Sequence, residues 1–327
     1  MSFETTYNLY REAVEEELLR LKNSYQSNPR LADALSYMIG LGGKRLRPVM
    51  TLAACDAFAG KYDVALKPAV GLEVFHNFSL IHDDIMDNAP LRRGKPTVHE
   101  KWGVNMGILS GDLLLIKSYE LINAVPSTIL PHVFRIFNHT AIQLCEGQQY
   151  DMDFGERESV TEEEYLRMIL FKTAVLLAAS MQIGALAGGA SEEDADHLYE
   201  FGCEIGIAFQ IKDDWLDTFG DPSKVGKRVG GDIIEGKKTL LMIKALALGN
   251  ADQQLMIRKV YMNGATDEQR VEGVLQVFDE LRIRELCREE IRKHYELALQ
   301  HLAKVSLPDE KKIFFSEFAR FLIERDF

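Results

Sequence analysis

What the chain lacks narrows it first. It has no basic excess: 38 Lys and Arg stand against 50 Asp and Glu, a net charge of −12. That argues against wholesale binding to nucleic acid or an anionic membrane. Cysteine is scarce and scattered. Cys55, Cys145, Cys203 and Cys287 lie far apart and form no CxxC pair, so disulfides are not expected and a reducing cytoplasm fits. No apolar run is expected to reach membrane-spanning length. The opening residues are charged and amphipathic, without the basic start and apolar stretch of a signal peptide. Alternating strand patterns and hairpin turns are missing. Only nine prolines occur, most of them at breaks between periodic segments: Pro48, Pro90, Pro96, Pro126, Pro131, Pro222 and Pro308. No low-complexity linker divides the chain, and no motif for a Ser–His–Asp or Cys–His nucleophile is present.

What is present is helical periodicity. Stretches such as YREAVEEELLRLKNSY and KKTLLMIKALALGN carry apolar residues at three- and four-residue steps. With 327 residues, 46% of them hydrophobic, a large core is available in one big domain or two ordinary ones. The simplest reading is a single all-α domain over residues 1–327, built as a helical bundle. The segments from about 160 to 215 are apolar nearly all round and belong at its centre.

One motif recurs at long range. DDIMD, Asp83 to Asp87, returns as DDWLD, Asp213 to Asp217, each at the end of an apolar helical stretch. Asp83 and Asp87 share a helix face at i,i+4, as do Asp213 and Asp217. Like charges so spaced destabilise a helix unless a cation sits between them. Mg²⁺ suits the role: it takes one or two carboxylates and fills its shell with water and substrate phosphate. Asp84 and Asp214 complete the two carboxylate sets.

Cations follow each acid set. Arg92 and Arg93 stand just past the first, Lys227 and Lys237 past the second. GLGGKRLRP adds Lys44, Arg45 and Arg47, with glycines up to Gly43 that let backbone N–H groups approach an anion. The spacing of a Walker loop is absent. Layers of acid, metal, phosphate and base let an acidic protein hold a polyanion. Leu72, Phe75, Phe78 and Ser79 precede the first acids on the same helix, so a ligand with a diphosphate head and a hydrocarbon tail suits the stretch.

Together these motifs resemble the trans-isoprenyl diphosphate synthases, from about Leu31 to the end of the chain. GGKRLRP, EVFHNFSLIHDDIMD, RRGKPTVH, Gly111–Asp112, GQQYD, Lys172–Thr173, FQIKDDWLD, and GKRVGGD with GKKT occur in that family's order. The resemblance implies an all-α isoprenoid synthase fold around a central cavity, and three Mg²⁺ ions. Asp83 and Asp87 would hold two of them and Asp213 the third, supported by Asp84, Asp214 and Asp217. Arg92, Lys172, Lys227 and Lys237 would bind the allylic diphosphate. Lys44, Arg47, His76 and Arg93 would bind isopentenyl diphosphate. Thr173 and Gln210 would line the forming carbocation, and Gln148 and Asp151 match the family's GQxxD site.

The implied activity is condensation of isopentenyl diphosphate with dimethylallyl, geranyl or farnesyl diphosphate. Phe78, five residues before Asp83, would form the tunnel floor with Phe75 and Ser79, giving a C20 or C15 product. On an ideal helix, however, Ser79 lies nearest the Asp83 face and Phe78 points away. His82 receives no role. The family also implies a homodimer. Arg320 and Arg325 stand where family members often close a basic tail, although an amphipathic final helix accounts for them equally. A class I terpene cyclase and a non-catalytic subunit of a heteromeric synthase are the rivals. The complete second DDxxD argues against both.

Overall fold

The computed structural model describes residues 2–221, 230–262 and 264–324. Among them the only strands are two residues each; the rest of the regular structure is helix. The Cα framework divides into two compact units.

The first unit comprises residues 1–140, 176–199 and 304–314. It opens with α1 (Phe3–Ser24), whose N-cap Ser2 accepts from the Thr5 amide, and α2 (Pro29–Gly40), capped by Asn28 with proline in the first position. Next come α3 (Leu46–Ala59), carrying Pro48 in its first turn, and α4 (Leu66–Met86), which runs into DDIMD. A hairpin pairs β1 (Leu91–Arg92) with β2 (Lys95–Pro96). This hairpin corrects the expectation of none. Its turn has positive φ at both Arg93 (54°) and Gly94 (73°), as two-residue hairpins prefer, and an arginine gives no sequence cue for that. Then follow α5 (Val98–Trp102), α6 (Val104–Ile122) and α7 (Leu130–Glu156), the last of which counts here as far as Thr140. Leu35, Leu52, Leu72, Phe75 and Phe137 are buried in this unit; each contributes roughly 1.5–3 kcal/mol.

The second unit comprises residues 141–175, 200–303 and 315–327. It contains α8 (Glu162–Ile169), opened by a Thr161–Glu164 capping box, and a π-helical turn, Leu170–Ala174. α9 (Val175–Ala187) belongs almost wholly to the first unit. α10 (Glu192–Phe219) ends in DDWLD and lies in the second unit from Glu200. Then come α11 (Gly231–Glu235), α12 (Leu240–Leu248), α13 (Ala251–Met262), α14 (Asp267–Glu280), α15 (Ile283–Lys304) and α16 (Asp309–Glu324), the last of which lies in this unit from Phe315. Tyr165, Phe201, Phe278, Phe315 and Phe318 are the large buried side chains of this unit.

The expectation that no apolar run reaches membrane-spanning length needs correction. The helical run Glu162–Ala187 is long and apolar enough, but 78% of its apolar window is buried inside the protein. It is a core helix, as its all-round apolarity predicts.

Candidate active site

The first acid motif occupies the last turn of α4. The Asp87 amide donates to the Asp83 carbonyl at 2.9 Å, so the two share a face as predicted. Asp84, between them, is buried. Arg92 of β1 reaches back to it: Nε donates to Oδ2 at 2.8 Å and Oδ1 at 2.9 Å, and Nη2 lies 2.7 Å from Oδ1. The same Nη2 is 3.6 Å from Asp83 Oδ2.

The second motif lies in the last two turns of α10. Its middle acid, Asp214, is again the buried one. Tyr165 donates its hydroxyl to Asp214 Oδ2 at 2.6 Å, and Gln210 Nε2 donates to Oδ1 at 2.9 Å. Burial, then the charges of Asp232 and Asp213, push the Asp214 carboxyl up to about 7. Asp217 accepts from the Asp232 amide at 2.9 Å. Burial and Asp217 push Asp232 up to about 6, and Lys237 lies 3.4 Å from it and 3.1 Å from Glu235.

These donors fit a hard divalent cation. In each motif they are carboxylate oxygens at the C-terminal end of a single helix, where the backbone dipole already disfavours negative charge. Raised carboxyl pKa values at Asp214 and Asp232 mark a place where a cation would relieve charge.

Lys172 and Thr173 sit within the π turn, an irregularity found mostly at functional positions. Lys172 Nζ donates to Asp151 Oδ2 at 2.5 Å. Gly147 of the GQQYD segment makes the close approach possible: a Cβ there would stand 2.4 Å from the Lys172 amide nitrogen. Gln148 is half-buried on the same segment. Thr173 donates its hydroxyl to Gln210 Oε1 at 3.1 Å. Thr173, Gln210, Asp214 and Tyr165 thus form one chain of hydrogen bonds.

In the first unit, arginines gather around His76. Arg47 Nη1 lies 3.3 Å from His76 Nε2. Burial, then the charges of Arg47, Arg93, Arg92 and Arg45, hold the His76 pKa well below its ordinary value, so the ring is neutral and accepts from Arg47. Arg47 Nε is buried with no partner among the described atoms. The Arg93 guanidinium lies over Gly43, about where a Cβ would stand: the gap to Nη2 would be 3.0 Å. Desolvation, with Arg45 and Arg92, pulls its pKa down. Lys44 follows Gly43 in the loop, and its carbonyl accepts from the Tyr7 hydroxyl.

The floor residues cluster on α4. Phe75 is buried and packs edge-on to Phe137 at 5.1 Å. Phe78 packs between Phe75 at 5.4 Å and His82 at 4.9 Å. Ser79 donates its hydroxyl to the His76 carbonyl. His82 Nε2 lies 3.2 Å from the Ile108 carbonyl, a packing role. Arg320 pairs with Glu317 and Glu324, as an amphipathic helix would have it. Lys227 and Arg325 lie outside the described residues.

Sequence reasoning missed Tyr165, Asp232 and Glu73. Glu73 left a signal, a lone acid within the apolar PAVGLEVF. Asp232 closes the quoted GKRVGGD; Tyr165 looked like ordinary core.

Residues 28–278 match the family model for polyprenyl synthetase. Geranylgeranyl diphosphate synthase of Sulfolobus acidocaldarius is 39% identical over 282 residues, covering 85% of each chain. Geranylfarnesyl diphosphate synthase of Natronomonas pharaonis is 34% identical over 337 residues, 98% of this chain and 95% of that one. Among solved structures, geranylgeranyl pyrophosphate synthetase from Pyrococcus horikoshii superposes with a TM-score of 0.91 at 34% identity, covering 99% of both chains. Geranylgeranyl pyrophosphate synthase from Corynebacterium glutamicum, complexed with isoprenyl diphosphate and magnesium, gives 0.85 at 27% identity, covering 99% of this chain and 100% of that one. The match spans the residues that carry the acid motifs, the arginine cluster and the π turn. The chain belongs to the polyprenyl synthetase family, has the all-α isoprenoid synthase fold, and is a short-chain trans-prenyltransferase.

Proposed function

We propose that the enzyme adds isopentenyl diphosphate to an allylic diphosphate and stops at geranylgeranyl diphosphate, C20, with farnesyl diphosphate, C15, as the shorter alternative. The observation that carries this reading is the shared build of the two DDxxD motifs. Each sits at a helix C-terminus with its middle acid anchored in protein. Asp83 and Asp87 would hold two Mg²⁺ ions and Asp213 a third, with Asp84, Asp214 and Asp217 in support. When bound, magnesium neutralises the allylic diphosphate as it leaves.

The chain's own groups do the rest. Arg92, Lys172, Lys227 and Lys237 bind that diphosphate, and Asp151 holds the Lys172 ammonium in place. Gln148 belongs to the same site. Thr173 donates its proton to Gln210, which leaves its oxygen lone pairs to face the allylic cation. Lys44, Arg47, Arg93 and neutral His76, beside the open backbone of Gly43, hold isopentenyl diphosphate so that its alkene attacks the cation. The proton then lost goes to the departing diphosphate.

Phe75, Phe78 and Ser79 set the length. The Phe75→Ala, Phe78→Ala double variant is expected to make longer products by chromatography. Unchanged length would place the floor elsewhere.

A single domain is supported by the family match, which runs through both units. A homodimer is supported by exposed apolar residues on α6, among them Leu109 at 55% and Ile116 at 60% exposure. A cytoplasmic location is supported by four free cysteines. Incubation with Mg²⁺, isopentenyl diphosphate and allylic primers of three lengths tests the whole reading. Linear diphosphates are expected; cyclised hydrocarbon would indicate a terpene cyclase, and absence of turnover a non-catalytic subunit.

A further inference from the structure

Arg45 stands in the most cation-rich loop of the chain, between Lys44 and Arg47, yet its charge is turned wholly inward. Its side chain is 0% exposed. Nε donates to Glu15 Oε1 at 2.7 Å, Nη1 to Glu73 Oε1 at 2.7 Å, and Nη2 to the Ile39 carbonyl at 3.1 Å. It cannot also grip phosphate, which corrects its inclusion among the anion-binding arginines. The residue holds φ at 54°, a left-handed conformation that side chains other than glycine rarely adopt, and it is the cap from which α3 starts. Three directed bonds hold it there.

Glu73 is the other half of the clamp. Its side chain is 4% exposed, and it stands one helical turn before His76 on α4. Its charge also stabilises the ionised forms of Arg47 and Arg93. One buried carboxylate therefore serves three arginines that would otherwise repel one another. From the far side, α1 grips the same loop twice, through Glu15 on Arg45 and through the Tyr7 hydroxyl on the Lys44 carbonyl.

A buried ion pair adds little stability over an apolar pair of the same volume; what it adds is direction. We propose that Glu73 and Arg45, braced by Glu15 and Tyr7 of α1, are positioning residues. They aim the loop Gly43–Arg47 at the diphosphate of isopentenyl diphosphate without touching it. The proposal rests on the assignment of that loop to isopentenyl diphosphate.

The test replaces the clamp by an apolar pair, Arg45→Met with Glu73→Leu, which keeps the volume and removes the direction. Three quantities are compared with wild type: thermal unfolding, calorimetric binding of isopentenyl diphosphate without magnesium, and the separate KM values of the two substrates. The expected result is retained cooperative unfolding, with KM and Kd for isopentenyl diphosphate raised about tenfold or more and the allylic KM within about twofold. Unchanged isopentenyl diphosphate binding in a folded double variant would overturn the proposal, as would an equal rise in both KM values. If the double variant fails to fold, Glu15→Gln and Tyr7→Phe take its place; each is expected to raise the same KM about threefold without moving the other. No such split in either variant would overturn the proposal. A wild-type chain that folds but binds no isopentenyl diphosphate would overturn the assignment of the loop itself.

Discussion

DDIMD and DDWLD read alike in sequence, but they bury their middle acids by different means. Asp84 is held by a guanidinium, with two Arg92 nitrogens on its two oxygens. Asp214 is held by neutral donors, a phenol and an amide. A guanidinium brings a full positive charge to the carboxylate it binds; a phenol and an amide bring only dipoles. Burial first and Asp232 next push the Asp214 carboxyl up to about 7, against the opposing pull of the Tyr165 and Gln210 hydrogen bonds, and Asp232 itself rises to about 6. The first motif arrives with a built-in cation. The second stores negative charge that a metal ion would discharge. The Thr173–Gln210 pair belongs to the second arrangement, since Gln210 accepts from Thr173 and donates to Asp214.

Substitutions can break this comparison, beginning with what the motifs share. Asp83→Ala and Asp213→Ala are each expected to lower kcat by about 10³-fold or more, read by product formation, with helical content retained by circular dichroism. If either variant kept near-normal turnover, the motifs would not be functional equivalents.

The middle acids should diverge. Asp84→Asn leaves Arg92 facing a neutral amide in a largely buried site, and should cost roughly 2 kcal/mol in chemical denaturation, a buried-pair loss discounted for the partly exposed Arg92. Asp214→Asn should do the opposite above neutrality. A carboxyl whose pKa is raised on folding contributes fully below its unfolded value near 3.8; the contribution is lost as pH rises through about 7. The amide carries no such penalty and can still meet Tyr165 and Gln210. At pH 8 the variant should be more stable than wild type by at least ~1 kcal/mol, with the gain fading as pH falls toward 4. Equal responses of the two variants at both pH values would erase the distinction.

The smallest effect concerns Lys172. Asp151→Asn should change stability little, because that carboxylate is partly exposed. The KM of the allylic substrate should still rise by roughly threefold as Lys172 loses its anchor.

Much of the site was legible because its signals are local. Carboxylates at i,i+4, arginines just past them and an apolar run before them are all read along one helix, and α4 and α10 end where the motifs end. What stayed hidden depends on contacts remote in sequence. Arg45 looks like Arg47 until Glu15 and Glu73, 30 and 28 residues away, turn it inward. Lys172 and Thr173 gave no hint of a π turn, which accompanies the close approach of Gly147. Tyr165 reads as core until Asp214, 49 residues on, accepts its proton. The hairpin escaped because an arginine occupies the left-handed turn position. The membrane-length run was misjudged because its three segments, α8, the π turn and α9, join end to end.

The most direct test of the account counts metal. With manganese and an unreactive thiolo analogue of an allylic diphosphate, the wild-type enzyme should retain three ions per chain at saturation. The count should fall in Asp83→Asn and again in Asp213→Asn, and should hold in Asp84→Asn and Asp214→Asn. A count that ignores both outer aspartates, or that drops only when the buried ones change, would contradict the division of labour within each motif.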